Sequence, residues 1–271
     1  MADHSEHGKL SNLDLSTIQG VLFDLDGVLY VGNAAIPGAI DAVNQIRNAG
    51  KLCRFVTNTS TLSLDSLQKK LNGFGLEVVK SEIMSAPQAA LQFLQQQTNP
   101  ICRLLLAEDV KQDFAHLKQS DTNANFIVVG EIGNAWTYTM LNEVFACLMQ
   151  GATLIAIHKN RFWQTELGLQ MDIGAFVHGL EYASNKQGLL IGKPSVDFFN
   201  MALADMQLNA LQVLMVGDDI DSDIGGAQIG GLLGALVRTG KYRQAYTQAS
   251  AIKPDVIMDT IADLPALLIK Q

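Results

Sequence analysis

Cysteine is scarce in this chain of 271 residues, which has only Cys53, Cys102 and Cys147. Their number is odd, and their spacing fits no zinc-binding pattern, so the sequence argues against both a disulfide framework and a structural zinc site. We therefore expect three reduced thiols, as in a cytoplasmic protein.

Long hydrophobic runs are also absent, although 48% of the residues are apolar and the mean hydropathy is +0.16. The runs Val213 to Val216 and Leu232 to Val237 are much shorter than the roughly 20 residues of a membrane-spanning helix. The segment from Met1 to Asp14 is polar and has no apolar core like that of a signal peptide. We therefore predict no membrane association and a cytoplasmic location.

Positive charge is in deficit, because 19 lysines and arginines face 27 aspartates and glutamates and the net charge is −8. This balance argues against a nucleic-acid partner. It does not argue against a small phosphorylated molecule, because one bound metal ion inverts the local field of an acidic site.

Short apolar runs alternate with helical patterns along the chain. Val21 to Asp24, Cys53 to Val56 and Val213 to Val216 are predicted strands, and Pro37 and Ser63 mark predicted helix starts. Such alternation is typical of an α/β fold, a Rossmann-like doubly wound parallel sheet covered by helices on both faces.

The middle of the chain has strands of its own but lacks the carboxylate clusters found nearer the two ends. We interpret it as an α/β domain inserted into the first. The predicted organisation is a flexible tail over residues 1–18, a core domain formed by residues 19–81 and 188–271, and an inserted domain over residues 82–187.

Polar residues suited to one reaction follow four predicted strands. The first group is Asp24-Leu25-Asp26-Gly27, in which two carboxylates at i and i+2 lie on the same side of an extended chain and would repel without a hard cation such as Mg²⁺. The second begins with Thr57 and Asn58, and the third is Gly192-Lys193-Pro194. Taken singly, each group also fits a purely structural interpretation: a solvated turn for the first, a helix cap for the second and a surface lysine for the third.

The fourth group, Gly217 to Asp223, has four carboxylates in six residues after an apolar strand. An EF-hand loop counted from Asp218 would need glycine and glutamate where Asp223 and Ile229 stand, so that interpretation fails. We expect all four groups at the carboxyl ends of strands in one parallel sheet, the edge where open α/β sheets bind ligands.

These motifs, in this order, resemble the haloacid dehalogenase superfamily in its phosphatase branch. The runs Val56 to Thr59, Ile191 to Pro194 and Arg238 to Tyr242 are similar to the class IIA subgroup, and more narrowly to its phospholysine phosphohistidine inorganic pyrophosphate phosphatase group. The insertion between the threonine and lysine motifs looks like that family's C2-type cap.

The resemblance implies a Mg²⁺-dependent phosphatase in which Asp24 is the nucleophile and a metal ligand. Asp26 would be the general acid and then the general base, and would contact the metal through its backbone carbonyl.

The same resemblance implies that Thr57 and Asn58 hold the phosphoryl group and that Lys193 stabilises Asp24 and the transferring charge. Asp218 would bind the metal directly, supported by Asp219 and Asp223.

Two other functions fit parts of this pattern. A phosphomutase of this family usually carries a smaller cap just after the first motif, and the stretch Val28 to Pro37 is too short for one. A binding or regulatory protein without turnover would usually lack the nucleophile or the general acid, and Asp24 and Asp26 are both present.

We expect a small phosphorylated substrate, such as a sugar or nucleoside phosphate, a phosphorylated amino acid or pyrophosphate. The resemblance also suggests a homodimer formed through the cap. Within the insertion, Asn134, Trp136, His158, Lys159 and Arg161 are candidate substrate contacts, with solvated surface as the alternative for each.

Overall fold

A computed structural model describes residues 15–165 and 168–269, with the backbone alone for 163–165 and 168–169. The chain forms two compact units. The first unit contains the residues up to Phe55 and those from Phe199 onward, and the second contains Val56 to Phe198.

The strands are short, and most of them alternate with helices. They are β1 Gly20–Phe23, β2 Tyr30–Val31, β3 Ala34–Ala35, β4 Leu52–Thr57, β5 Ile83–Ser85, β6 Ile101–Leu105, β7 Lys118–Gln119, β8 Phe126–Val129, β9 Thr153–Ala156, β10 Phe162–Thr165, β11 Gly168–Met171, β12 Leu189–Leu190, β13 Val213–Gly217, β14 Leu233–Val237 and β15 Val256–Met258.

The α-helices are α1 Ala39–Asn48, α2 Leu64–Gly73, α3 Ala86–Gln95, α4 Glu108–Lys111, α5 Tyr138–Met149, α6 Gly174–Ser184, α7 Val196–Met206, α8 Gly226–Ile229, α9 Gln244–Ala249 and α10 Leu264–Leu268. A π-helical turn over Ile220–Gly225 precedes α8.

Strand β1 lies between β13 and β4 in the first unit's parallel sheet, where the strands follow the order β15-β14-β13-β1-β4. All residues of β1 and β13 are buried, as expected for parallel strands that are covered on both faces. The predicted α/β fold is therefore confirmed.

The second unit has its own parallel sheet in the order β12-β9-β8-β6-β7. Strand β12, which precedes Lys193, pairs with β9 in this sheet. The prediction that all four motifs follow strands of one sheet is therefore wrong for Lys193. The two-residue strand Leu189–Leu190 carries no periodicity that could identify its neighbour.

Helix starts follow the predicted capping residues closely. Ser63 caps α2 by accepting a hydrogen bond from the Ser66 N–H, as predicted. Helix α1 begins two residues after Pro37, because the chain first makes a turn in which the Ala39 N–H donates to Ile36 O. Cys53, Cys102 and Cys147 are buried and form no disulfide among the described residues.

The predicted tail, residues 1–18, falls largely outside the described residues. Of its described part, Leu15–Thr17 form a 3₁₀ turn and Ile18 is buried. The predicted boundaries at residues 81, 82, 187 and 188 stay a prediction.

No helix within residues 15–165 and 168–269 combines the length and apolar character that a membrane crossing requires.

Glu181 is a buried carboxylate of α6, only 5% exposed, that joins three parts of the second unit. It accepts hydrogen bonds from Lys159 Nζ at 2.5 Å and from the Gly188 N–H at 2.7 Å, and it lies 2.9 Å from His178 Nδ1. Burial would raise the pKa of Glu181, but the Lys159 and Gly188 hydrogen bonds hold it below its ordinary value.

Glu181→Ala should therefore lower the free energy of unfolding by about 3 kcal/mol, because it leaves Lys159 without its carboxylate and Gly188 without its acceptor. Glu108→Ala is the matched control, since Glu108 forms an exposed pair with Lys111 that contributes less than about 1 kcal/mol. Urea denaturation of both variants measures the difference, and equal losses would contradict this role of Glu181.

Candidate active site

Three buried carboxylates meet in the first unit. One oxygen each from Asp24, Asp218 and Asp223 lies within 4.8 Å of the others, and the three residues are 7%, 2% and 1% exposed. Asp24 follows β1, and the other two follow the neighbouring strand β13. The carboxyl ends of two adjacent parallel strands thus bring together the first and fourth sequence motifs.

Asp218 is the most constrained member of this group. Its Oδ2 accepts a hydrogen bond from the Lys241 N–H at 2.6 Å. Its Oδ1 is buried and accepts no hydrogen bond from any residue that the structure describes. Burial and the nearby carboxylates of Asp24 and Asp223 raise the pKa of Asp218 well above its ordinary value. An anionic Asp218 therefore needs a cation near Oδ1.

The remaining acids of the fourth motif hold its loop in shape. Asp219 Oδ1 accepts hydrogen bonds from the N–H groups of Asp221 and Ser222, which caps the π-helical turn. Asp223 Oδ2 accepts from the Asp219 N–H at 3.1 Å. Asp219 thus caps the loop, whereas Asp223 both supports the loop and joins the buried carboxylate group. Their supporting roles around a metal ion stay a prediction.

Asp26 is not a member of this group of buried carboxylates. Its side chain is exposed, and its backbone forms a bridge with Tyr30 at the start of the β2–β3 hairpin. The two acids of the Asp24-Leu25-Asp26 motif therefore differ in environment, one buried among carboxylates and the other in contact with solvent.

Lys241 is a component of this site to which the sequence alone assigned no role. Partial desolvation would lower the pKa of Lys241, whose side chain is 41% exposed, but the carboxylates of Asp219, Asp218, Asp24 and Asp223 raise it above its ordinary value. Its Nζ lies 3.8 Å from Asp219 Oδ2. Lys241 belongs to the run Arg238 to Tyr242, which is similar to the class IIA subgroup, but no pattern within that run indicates its role.

The second and third motifs, both in the second unit, bind each other. The Asn58 side chain donates a hydrogen bond to Lys193 O at 2.8 Å and accepts one from the Lys193 N–H at 2.9 Å. Thr57 is buried at the end of β4, and its Oγ1 bonds to both the N–H and the Oγ1 of Thr59. The Asn58 carboxamide therefore fixes the backbone of Lys193, whose side chain is buried.

Two family models match the chain on either side of its middle segment. The model described as haloacid dehalogenase-like hydrolase matches residues 21–122, and a HAD-hydrolase-like model matches residues 190–264. The rat protein named haloacid dehalogenase-like hydrolase domain-containing protein 2 is 39% identical over 229 residues, which are 84% of this chain and 87% of that protein. The chain belongs to the haloacid dehalogenase-like hydrolase family. The resemblance inferred from the four motifs is confirmed.

Two further proteins place this haloacid dehalogenase-like hydrolase among phosphatases. The Xenopus laevis phospholysine phosphohistidine inorganic pyrophosphate phosphatase is 36% identical over 93% of this chain and 95% of its own length. The solved p-nitrophenyl phosphatase from Archaeoglobus fulgidus superimposes with a TM-score of 0.86 at 27% identity, over 93% of this chain and 99% of that one. The chain is a hydrolase of phosphoester bonds.

The candidate substrate contacts predicted within the insertion have diverse environments. Lys159 pairs with the buried Glu181, and Trp136 stacks on Phe176 with ring centroids 4.5 Å apart. His158 is buried, so the interpretation as solvated surface is wrong for it. Asn134 and Arg161 are exposed and remain candidate substrate contacts.

Proposed function

We propose that this chain is a Mg²⁺-dependent phosphatase of small phosphorylated molecules that acts through an aspartyl phosphate at Asp24. The observation that carries the proposal is the buried group of Asp24, Asp218 and Asp223, in which Asp218 Oδ1 has no partner among the described residues. Three carboxylates within 4.8 Å repel one another strongly in a buried site unless a cation compensates them.

The donor set fits Mg²⁺. All the side-chain donors are carboxylate oxygens, the ligands that this hard cation prefers, and Mg²⁺ commonly uses one or two carboxylates together with water and phosphate oxygens. Asp24 and Asp218 would hold it, with the backbone carbonyl of Asp26, as the family resemblance implies. When bound, the ion would neutralise charge on the phosphoryl oxygens and on the carboxylates.

Asp24 performs the first displacement in this proposal. A carboxylate oxygen of Asp24 attacks phosphorus, an O–P bond forms, and the bond between phosphorus and the substrate's leaving oxygen breaks. In the role that the family resemblance implies, the carboxylic acid of Asp26 gives its proton to that oxygen, and such general acid catalysis typically contributes about 10²- to 10⁴-fold in rate.

Water performs the second displacement. The Asp26 carboxylate takes a proton from water, the water oxygen attacks phosphorus, and the bond from phosphorus to Asp24 breaks. Inorganic phosphate leaves, Asp24 is again a carboxylate and Asp26 again carries its proton. Splitting one difficult displacement into two easier ones is the general advantage of covalent catalysis.

Thr57 and Lys193 take the phosphoryl-binding roles that the family resemblance implies. Thr57 and the Lys193 ammonium would contact the phosphoryl oxygens, because phosphoryl transfer depends mainly on positioning and on charge stabilisation. The Asn58 carboxamide forms hydrogen bonds with both the N–H and the C=O of Lys193. We therefore propose that Asn58 positions Lys193 and contacts substrate through its backbone N–H.

Hydrolysis of 4-nitrophenyl phosphate with and without Mg²⁺ tests the proposed function. We expect turnover that is abolished by a chelator and restored by added Mg²⁺. Turnover that is unchanged in the chelator would contradict metal dependence. Inorganic pyrophosphate and phosphohistidine are the next substrates to assay, because the Xenopus laevis relative is named for both.

Lys193→Met should lower kcat about 10²-fold. Methionine keeps the apolar part of the side chain but lacks the buried ammonium that would stabilise negative charge on the transferring phosphoryl group. Asn58→Ala should lower kcat by a smaller factor of about 10, because Lys193 keeps its charge but loses two backbone hydrogen bonds. Steady-state kinetics at saturating Mg²⁺ compare the two variants. A larger loss in Asn58→Ala than in Lys193→Met would contradict this division of roles.

We propose small substrates because the C2-type cap that the family resemblance implies would exclude large phosphoproteins. Faster turnover of a folded phosphoprotein than of small phosphate esters would contradict this size limit. The cap boundaries and the homodimer through the cap stay predictions of the resemblance.

A further inference from the structure

The turn formed by Thr239, Gly240 and Lys241 lies directly against Asp218. It follows β14, and it is closed by a hydrogen bond from the Tyr242 N–H to Thr239 O at 3.1 Å. The Arg238 N–H donates to Met258 O at 2.9 Å, which anchors the start of the turn to β15. The turn therefore has a fixed position within the first unit.

Two hydrogen bonds connect this turn to the candidate active site. The Lys241 N–H donates to Asp218 Oδ2 at 2.6 Å, and Thr239 Oγ1 donates to Gly27 O at 2.5 Å. Gly27 follows Asp26 in the first motif, so the turn bonds to both the loop of Asp24 and the carboxylate of Asp218.

Gly27 and Gly240 make this arrangement sterically possible. Both have positive φ, +89° and +58°. A Cβ atom on either would lie 2.0 Å from Asp218 Oδ2, and one on Gly240 would also lie 2.5 Å from Gly27 Cα. The Asp218 carboxylate thus lies against the backbones of Gly27 and Gly240, and a side chain at either position would collide with it.

We infer that Thr239, Gly240 and Lys241 form a positioning clamp for the metal-binding carboxylate. The Lys241 N–H occupies Oδ2 and thereby leaves Oδ1 as the oxygen directed to the cation. The Thr239 hydroxyl holds the clamp at a fixed distance from the Asp24 loop. Residues that orient metal ligands in this way typically contribute 10- to 100-fold to metal affinity. This inference rests on the proposed function.

Thr239→Val tests the clamp, because valine has nearly the shape of threonine and carries a methyl group in place of the hydroxyl that donates to Gly27 O. Isothermal titration calorimetry without substrate should show that the Kd for Mg²⁺ rises about tenfold, with Thr239→Ser close to wild type. Turnover lost at low Mg²⁺ should be recovered at high Mg²⁺. Thr260→Val is the matched control, because it also removes a hydroxyl that bonds to the backbone, at the Ala262 N–H.

Two results would overturn the inference in different ways. If Thr239→Val and Thr260→Val both lower the unfolding temperature and neither changes the Kd for Mg²⁺, Thr239 is merely structural and the proposed function still stands. If the wild type itself shows no heat of Mg²⁺ binding, the clamp and the proposed metal dependence fail together.

Discussion

Asp24→Asn should abolish phosphatase turnover, with kcat falling by roughly 10⁴-fold or more. The amide of asparagine is a poor nucleophile and cannot form the aspartyl phosphate. Asp24 is buried in the carboxylate group, so the substitution also removes one of three negative charges there. The loss of activity is therefore expected without unfolding, and far-ultraviolet circular dichroism should remain that of the wild type.

Asp41→Asn is the matched control for this result. Asp41 is an exposed acid in the first turn of α1, and its replacement should leave kcat near the wild-type value. If Asp24→Asn kept more than a small fraction of wild-type turnover, Asp24 would not be the nucleophile and the covalent mechanism would be wrong.

Asp218→Asn should affect metal binding and stability in opposite directions. We expect turnover at a fixed low Mg²⁺ concentration to fall roughly 10³-fold, because a direct ligand supplies several kcal/mol of charge stabilisation through the metal. In a chelator, the same variant should unfold about 3 °C higher than wild type, because it removes one of three buried like charges.

Thermal unfolding of wild type and variant, each with and without Mg²⁺, measures both effects. Mg²⁺ should raise the unfolding temperature of wild type and leave that of Asp218→Asn unchanged, because a ligand that binds only the folded state stabilises it. Asp221→Asn is the control within the same loop, since Asp221 is exposed and accepts from the Tyr246 hydroxyl. An equal Mg²⁺ response in Asp218→Asn and wild type would exclude Asp218 as a ligand.

The elements with strong local signals were predictable from the sequence. The buried runs of β1 and β13, the cap at Ser63 and the failure of the EF-hand pattern all depend on residues close together in the chain. The sheet to which β12 belongs was not predictable, because two leucines fit any buried parallel strand and pairing depends on distant residues.

The candidate active site likewise has parts that the sequence predicts and parts that it does not. Asp24 and Asp218 could be predicted to meet, because their motifs end adjacent strands. The hydrogen bond between the Asn58 side chain and the Lys193 backbone joins residues 135 positions apart, and no local sequence pattern predicts it. The clamp at Lys241 was equally hidden, because it acts through a backbone N–H that every residue except proline possesses.

The most direct test of the covalent mechanism is mass spectrometry of enzyme that is quenched in acid during turnover of 4-nitrophenyl phosphate with Mg²⁺. We expect one phosphoryl group on the peptide that contains Asp24, removed by hydroxylamine and absent from Asp24→Asn. Steady turnover with no phosphoryl group on that peptide, or a phosphoryl group on another side chain, would contradict it.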